Sequence, residues 1–501
     1  MSPARSDGAL RRWFVGARNA NGKVLVRMSF GMIHSHTAFA PLPVGYVPRA
    51  SASVLHLAVR QNMESVLADA RAHSEHGFGL PHFVEEELRR FLRCGVLAHG
   101  FARLRCATCG HGMLLPFSCK RRAVCPSCTG RRAADCAIHL VDEVLPQTPV
   151  RQWVLTFPRH IRFALARDSR LATKVIAIWL RALEGFHRRC ARGAGFPVTR
   201  MGAITFVQRF GSALNLNVHL HTVVPDGTFA VEGEPSFVAL PSPTTKEIEA
   251  LLLRVVSRVR RCVAQSIDPH SDVPLESLDE IGAASAGETP RAPFERRAGR
   301  YEAFFEGFSL HCGVRLHAND REGIERLCRY GARGPLTLGR LSRDADDVYR
   351  YRMKRAVRGR CELVMTGKEL VRKLAVLVPP PRVHLVRFHG VFAPNAKHRA
   401  QVVPRRGKSE PGQTPAQSPT GQPMRRDGTS RIDWASLLRR VFKIDVLTCG
   451  RCGGRIRVIA VIEEQPAIEK ILRHLGLPHV PLPTLPTLPA RGQRDFTFEA
   501  A

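Results

Sequence analysis

Between residues 51 and 96 apolar positions recur at intervals of three and four, as in Ser53-Val-Leu-His-Leu-Ala-Val and Val84-Glu-Glu-Glu-Leu-Arg-Arg-Phe-Leu. That period predicts a helical lead-in over residues 51–93. It fades from Cys94 to Cys136 into Gly, Pro, Arg and Cys, a composition in which bound metal can replace a core, so residues 94–145 read as a zinc-binding domain. At Trp153-Val-Leu-Thr-Phe the pattern becomes strand-like and Pro158 closes it; residues 164–189 are amphipathic with a helical period. Two β-rich runs, 203–210 and 215–224, flank Gly211-Ser212 and predict an antiparallel hairpin. A helix is expected over 246–265, and a strand at Ser309-Leu-His-Cys-Gly-Val-Arg-Leu.

Polar, Pro- and Gly-rich stretches punctuate this order. Residues 268–292 read as a surface insertion within a domain running from 150 to 400, and residues 405–430 as a flexible linker. Beyond it, residues 431–478 carry a Cys-x-x-Cys, a Val-Ile-Ala-Val-Ile strand and a short helix at 466–475; a Pro-rich tail occupies 479–501, and residues 1–50 are an N-terminal extension. No repeat of solenoid length is visible. The fold class that fits is α+β: a central antiparallel sheet with flanking helices, preceded by a zinc-ribbon-like module.

Composition changes this picture in one respect. The chain has 501 residues, and its 76 Lys and Arg against 43 Asp and Glu leave a formal charge of +33 spread along the whole length. Such a surface suits a polyanion, with DNA or RNA the natural partner. Met1 to Phe14 contains no apolar run ahead of a small-residue cleavage site, and no apolar stretch is long enough to span a bilayer. The expectation is a cytoplasmic, nucleoid-associated protein without a membrane partner. In a reducing compartment its 14 cysteines are to be read first as metal ligands where they cluster.

Cys106-Ala-Thr-Cys109 and Cys125-Pro-Ser-Cys128 are two such pairs with fifteen residues between them, the spacing of a zinc ribbon. Cys119 either replaces one of these ligands or packs beside them. Cys449 and Cys452 lack a second pair nearby, which leaves them as extra zinc ligands or a degenerate knuckle. Lys120, Arg121, Arg122, Arg131 and Arg132 crowd the cluster, so it is expected to dock on DNA.

In Asn215-Leu-Asn-Val-His-Leu-His, strand alternation puts Asn215, Asn217, His219 and His221 on one face and the aliphatic residues on the other. Two imidazoles at i and i+2 can hold one ion with coordination positions open, or can be structural histidines that bury their ring edges. Arg321 to Tyr330 reads as a short helix with Ile324, Leu327 and Cys328 as its core stripe, ended by Gly331 and Gly334. Arg326 and Arg333 lie close to Tyr330 in sequence and would suit a phosphate. A half-buried aromatic with a solvated hydroxyl is the alternative.

Several segments in this order resemble the transposases of the insertion sequence ninety-one family: Phe117-Ser-Cys-Lys through Cys125-Pro-Ser-Cys128, Val150-Arg-Gln-Trp-Val-Leu-Thr-Phe-Pro158, Asn215 to His221, Glu325-Arg-Leu-Cys-Arg-Tyr330, and Val383-His-Leu-Val-Arg-Phe-His-Gly-Val-Phe-Ala-Pro-Asn-Ala-Lys397. The likeness covers roughly residues 80 to 400, with the Cys449 segment added. It implies a His-hydrophobic-His endonuclease that moves DNA by a rolling-circle-like process. On that basis His219 and His221 hold Mg²⁺ or Mn²⁺, Tyr330 is the nucleophile, and a covalent 5′-phosphotyrosine forms on single-stranded DNA at the transposon ends. Gln208, by analogy with related nucleases, becomes the third metal ligand, provided the hairpin register does not present Arg209 instead. Family members with two tyrosines set them a helical turn apart; here those positions hold Arg326 and Gly334, the pattern of a one-tyrosine branch.

Phenols ordinarily ionise near pH ~10, so cations such as Arg326 and Arg333 would assist the attack. Asn215, Asn217, His389 and Lys397 are further candidates for contact with DNA or phosphate. No phosphate-binding Gly-rich loop followed by Lys-Ser or Lys-Thr is present, so unwinding would come from a host helicase or replication proteins. Three other readings share these residues: a plasmid replication initiator or relaxase of the same chemistry, a non-catalytic zinc-ribbon regulator that binds DNA, and a hydrolase that uses metal-bound water.

Overall fold

A computed structural model describes residues 53–74, 77–266, 299–345, 347–357, 359–404 and 447–486, together with Arg440 and Asp445. The expected N-terminal extension, the insertion at 268–292, the linker at 405–430 and the end of the Pro-rich tail lie outside the described residues.

Helices α1 (Val54–Ala72) and α2 (His82–Leu92) lead into the hairpin β1 (Phe101–Cys106) and β2 (Gly112–Pro116), then α3 (Pro126–Glu143) and β3 (Val150–Thr156). Next come α4 (Arg159–Arg167), α5 (Ser169–Gly193), β4 (Thr199–Arg200), β5 (Gly202–Phe210), β6 (Leu216–Pro225), β7 (Gly227–Ala230), β8 (Ser236–Ala239) and α6 (Thr245–Ala264). After the undescribed insertion the chain forms β9 (Glu302–Phe305), β10 (Phe308–Leu316), α7 (Arg321–Gly331), β11 (Leu341–Ala345), β12 (Val348–Val357), β13 (Arg360–Thr366) and α8 (Gly367–Leu377). It continues through β14 (Val386–Gly390) and α9 (Arg399–Val402), and past the linker through β15 (Ile456–Ile462) and α10 (Gln465–His474).

The fold is α+β. Its centre is a six-stranded sheet in the order β14-β5-β6-β3-β10-β9, antiparallel at every pairing. One face buries Trp153, Leu155, Val218 and Leu220 against Leu171, Val175, Trp179 and Leu183 of α5 and Leu251 and Val255 of α6. The opposite face buries Ile204, Phe206 and Val223 against Ala137 and Leu140 of α3 and Ile324 and Cys328 of α7. A sheet covered on both sides needs apolar residues on both faces of its central strands. The helical period expected over 164–189 is interrupted at Asp168, whose carboxylate accepts from the N–H groups of Arg170 (2.7 Å) and Leu171 (3.1 Å) and starts α5 as a separate helix.

The helical lead-in belongs to a second core. Leu55, Val59, Met63 and Val66 of α1 pack with Leu370, Val371 and Leu374 of α8 and with Tyr349, Tyr351 and Met365 from the three-stranded sheet β11-β12-β13. Lys368 and Arg372 both reach Asp69, at 3.2 and 2.8 Å, and close this contact at its rim. Within the central sheet, Arg151 on β3 meets Asp226 in a buried bidentate pair, with Nε–Oδ1 at 2.7 Å and Nη2–Oδ2 at 3.2 Å. Two further donors go to the Cys312 carbonyl and the Ser242 hydroxyl, both at 3.0 Å, so the buried charge is paired and hydrogen-bonded.

β15 adds to β1 in a third sheet, β15-β1-β2. Ile468, Leu472 and Leu477 rest on Leu97, Phe101 and Leu114. Among the described residues no helix is long and apolar enough to cross a membrane.

Candidate functional site

The hairpin of β5 and β6 sets the site. Its register pairs Gln208 with His219 and Phe206 with His221, so these four side chains share the sheet face that carries α7. Arg209 therefore falls on the other face, where its guanidinium donates to the Ala166 carbonyl at 3.0 Å. The imidazoles are not exposed as strand alternation alone would have them: His221 is 6% accessible, because α7 roofs this part of the sheet.

The Nδ1 of His219 lies 2.8 Å from the Asn217 carbonyl, an arrangement that puts the proton on Nδ1 and leaves the Nε2 lone pair free. Both ring nitrogens of His221 are buried without a hydrogen-bond partner, as are the Oε1 of Gln208 and the Oδ1 of Asn217. Unmet buried acceptors of this kind are costly unless something else occupies them. Gln208 is held in place by its amide nitrogen, which donates to the Tyr330 carbonyl at 2.8 Å and the Gly331 carbonyl at 3.0 Å. Burial pushes His219 down to about 4, helped by the nearby Arg162 and Arg333 charges, and pushes His221 down to about 2. Both are neutral at physiological pH, the state in which imidazole binds a cation.

α7 brings Tyr330 over this face. Asp320 caps the helix by accepting from the Gly323 N–H at 2.8 Å, and Ile324 and Cys328 fix its buried side. Its last residue, Gly331, lies against Phe206 so closely that a Cβ there would sit 2.6 Å from the ring. The Tyr330 ring is edge-on to His221 with centroids 5.7 Å apart, while the two histidine rings are 4.9 Å apart. Two cations flank the phenol: the Arg333 guanidinium at 4.6 Å and the Lys354 ammonium at 5.0 Å from the ring centroid. Tyr330 is 37% exposed. Tyr349 and Tyr351 on β12 are buried, and desolvation raises both phenols above their ordinary range.

The cysteines form two groups of four, and neither is the set that spacing proposes. Cys125 and Cys128 join Cys94 and Cys119, whereas Cys106 and Cys109 join Cys449 and Cys452. The reason is the hairpin: β1 and β2 carry Cys106 and Cys109 away to its tip, while Cys125 and Cys128, at the start of α3, meet Cys94 just past the end of α2. In the first group the sulfurs of Cys94 and Cys128 are 3.8 Å apart, those of Cys119 and Cys128 3.4 Å, and those of Cys94 and Cys125 3.6 Å. A tetrahedral ZnS₄ centre with bonds of ~2.3 Å has sulfur–sulfur edges of about 3.8 Å, so the group fits zinc. Cys94 stands outside any Cys-x-x-Cys pair, and only its place at the head of the cysteine-rich block hinted at its role.

Residues 63–157 match the family model described as "Transposase zinc-binding domain", and residues 202–400 match the model described as "Putative transposase". These matches support a transposase of the insertion sequence ninety-one family. It is also 26% identical over 333 residues to "Putative transposase y4qJ" of Sinorhizobium fredii (strain NBRC 101917 / NGR234), a span covering 65% of this chain and 79% of that protein. No solved structure matches it significantly.

Within this transposase the expected DNA contacts are placed unequally. Arg121 pairs with Glu86 at 2.5 Å, and Arg122 donates to the Val383 and Pro380 carbonyls at 2.7 and 2.8 Å, so both tie the zinc-binding domain to its neighbours rather than facing outward. Lys120 and Lys397 are exposed. Arg326 reaches back to Asp320 (3.9 Å) and Glu322 (3.6 Å), away from the phenol that Arg333 covers. His389 pairs with Ala203 on β5, which puts it on the sheet face opposite His219. Lys354 carried no signal in the sequence: it lies in a different sheet and reaches Tyr330 only through the tertiary fold.

Proposed function

We propose that this transposase cuts and rejoins single-stranded DNA at transposon ends through a covalent bond between Tyr330 and a 5′-phosphate. The observation that carries the reading is the convergence of unpartnered buried lone pairs on His221 and Gln208, with the free Nε2 of His219, beside the one tyrosine of the site that solvent can reach. That donor set of two neutral imidazoles and an amide oxygen suits Mg²⁺ or Mn²⁺, and a cation bound there would polarise the scissile phosphate. Tyr330 Oη attacks phosphorus; the new P–O bond forms as the bond to the 3′-oxygen breaks, that oxygen takes a proton, and the phenolic proton passes to solvent. Arg333 and Lys354 sit where negative charge develops on the phenol and the phosphate. Attack by a 3′-hydroxyl reverses the step, so the phosphodiester energy is conserved and no nucleotide is consumed. The group of Cys94, Cys119, Cys125 and Cys128 holds a structural zinc ion, and α3, which carries two of these thiols, packs along α7 and steadies the tyrosine.

The test is incubation of the full chain with end-labelled single-stranded DNA and Mn²⁺. A labelled protein adduct is expected, lost in Tyr330→Phe and His221→Ala while DNA binding persists. An adduct that survives Tyr330→Phe, or free 5′-phosphate ends with no adduct at any time, overturns the reading.

A further inference from the structure

The cysteines outside the first group sit in two turns of the same build, Cys106-Ala-Thr-Cys109-Gly110 and Cys449-Gly-Arg-Cys452-Gly453. In each, the glycine N–H donates to the carbonyl of the first cysteine, Gly110 to Cys106 at 3.1 Å and Gly453 to Cys449 at 2.8 Å. In each, that cysteine's own N–H donates to the carbonyl five residues on, Cys106 to His111 and Cys449 to Gly454, both at 2.8 Å. The two glycines adopt left-handed φ values of 72° and 75°, a conformation that disfavours other residues. The turns face each other: the Ala107 N–H donates to the Arg455 carbonyl at 2.9 Å, and a side chain at Gly454 would collide with Thr108. Their sulfurs approach at 3.5 Å (Cys106–Cys452) and 3.7 Å (Cys109–Cys449), and all four lie within 4.8 Å of one another.

We propose that Cys106, Cys109, Cys449 and Cys452 hold a second zinc ion, a staple that fastens the C-terminal module onto the β1–β2 hairpin of the zinc-binding domain. The sulfur separations approach the tetrahedral ZnS₄ edge of about 3.8 Å, and two opposed Cys-x-x-Cys turns supply the four thiolates of a closed structural site. Half of the ligands come from beyond both family-matched segments, so the site exists only when the chain returns on itself across more than 300 residues.

α10 packs on Leu97, Phe101 and Leu114 at the far end of the hairpin, but around the two turns the apolar contacts are few. The apolar cluster at this junction is Leu104, Cys106, Cys449 and Ile456, while Val458 and Val461 of β15 remain 55% and 60% exposed. Arg105 and Arg457 stand directly opposite in the β1–β15 pairing, and like charges there repel. A metal bridge offsets both defects. The proposal is independent of the tyrosine chemistry.

The test is metal counting on the purified full chain by native mass spectrometry. Cys449→Ser with Cys452→Ser is expected to carry one zinc fewer per chain than wild type, whereas Cys361→Ser, which alters an exposed cysteine outside both groups, carries the same number. If the double variant fails to fold, Cys452→His decides: with cobalt replacing zinc, metal content should hold while thiolate-to-cobalt charge-transfer absorption falls. An unchanged zinc count in the double variant, or an unchanged cobalt spectrum in Cys452→His, overturns the staple.

Discussion

A tyrosine at the end of a short helix is common; the neighbours of Tyr330 are what distinguish it. Period-two alternation from Asn215 to His221 could be read directly from the chain, because a strand's side-chain directions follow from its backbone alone. The company of the phenol could not. Arg326 and Arg333 both lie within four residues of Tyr330 in sequence, but the helix ends at Gly331 and the chain folds Arg333 back over the ring, while Arg326 stays with the acidic first turn. Lys354 comes from β12, a strand of another sheet, and no local pattern announces it. Among the described residues its ammonium makes no salt bridge, and its position over the phenol ring points to a chemical contribution. Lys354→Ala is expected to slow adduct formation on the order of 10-fold to 100-fold while leaving affinity for single-stranded DNA within a few-fold. Equal losses in both, measured by single-turnover cleavage and by binding titration, would reduce Lys354 to a general DNA contact.

At the scale of elements, α6 and α7 follow their sequence periods, since each buries one apolar stripe; α5 does so from Asp168 onward, and the hairpin β5–β6 forms where its two β-rich runs predict, buried on both faces. The cysteine pairs were legible as pairs but not in their grouping. A Cys-x-x-Cys turn is a local fact, whereas the choice of its partner depends on where a hairpin tip and a helix start come to rest. The union of α7 with the sheet is equally tertiary and turns on one glycine. Gly331 lets the end of α7 lie on Phe206, opposite His221 in the β5–β6 pairing. Gly331→Val should therefore lift the helix end, at a cost of about 1–3 kcal/mol in stability, and separate the phenol from the histidines. The expected result is cleavage reduced far more than zinc content or DNA affinity. Near-wild-type cleavage at an unchanged unfolding midpoint would show that the helix tolerates the added methyls without moving.

For the whole molecule, burial of neutral imidazole in so basic a chain predicts acid sensitivity with a definite sign. His187 is 4% accessible, packed edge-on against Trp153 and Phe186, with Nδ1 at 2.9 Å from the Leu183 carbonyl. Desolvation pushes it down to about 4 from an ordinary 6.5. Its folded-state value is thus the lower one, so between these limits the unfolded chain binds the extra proton. Stability contributed by the neutral ring is full above pH 6.5 and is lost as the pH falls toward 4. The size is roughly 3 kcal/mol for this one residue. His219, His221 and the zinc thiolates also respond to acid, which makes the wild-type curve a sum. The difference between wild type and His187→Leu isolates the single term, because every other group cancels. Urea unfolding from pH 7 to pH 4 should show the variant losing less stability than wild type, with the gap opening below pH 6.5 and growing steadily. Parallel curves would mean that the buried ring is already protonated or that the unfolded chain shelters it, and would remove the electrostatic account of this core.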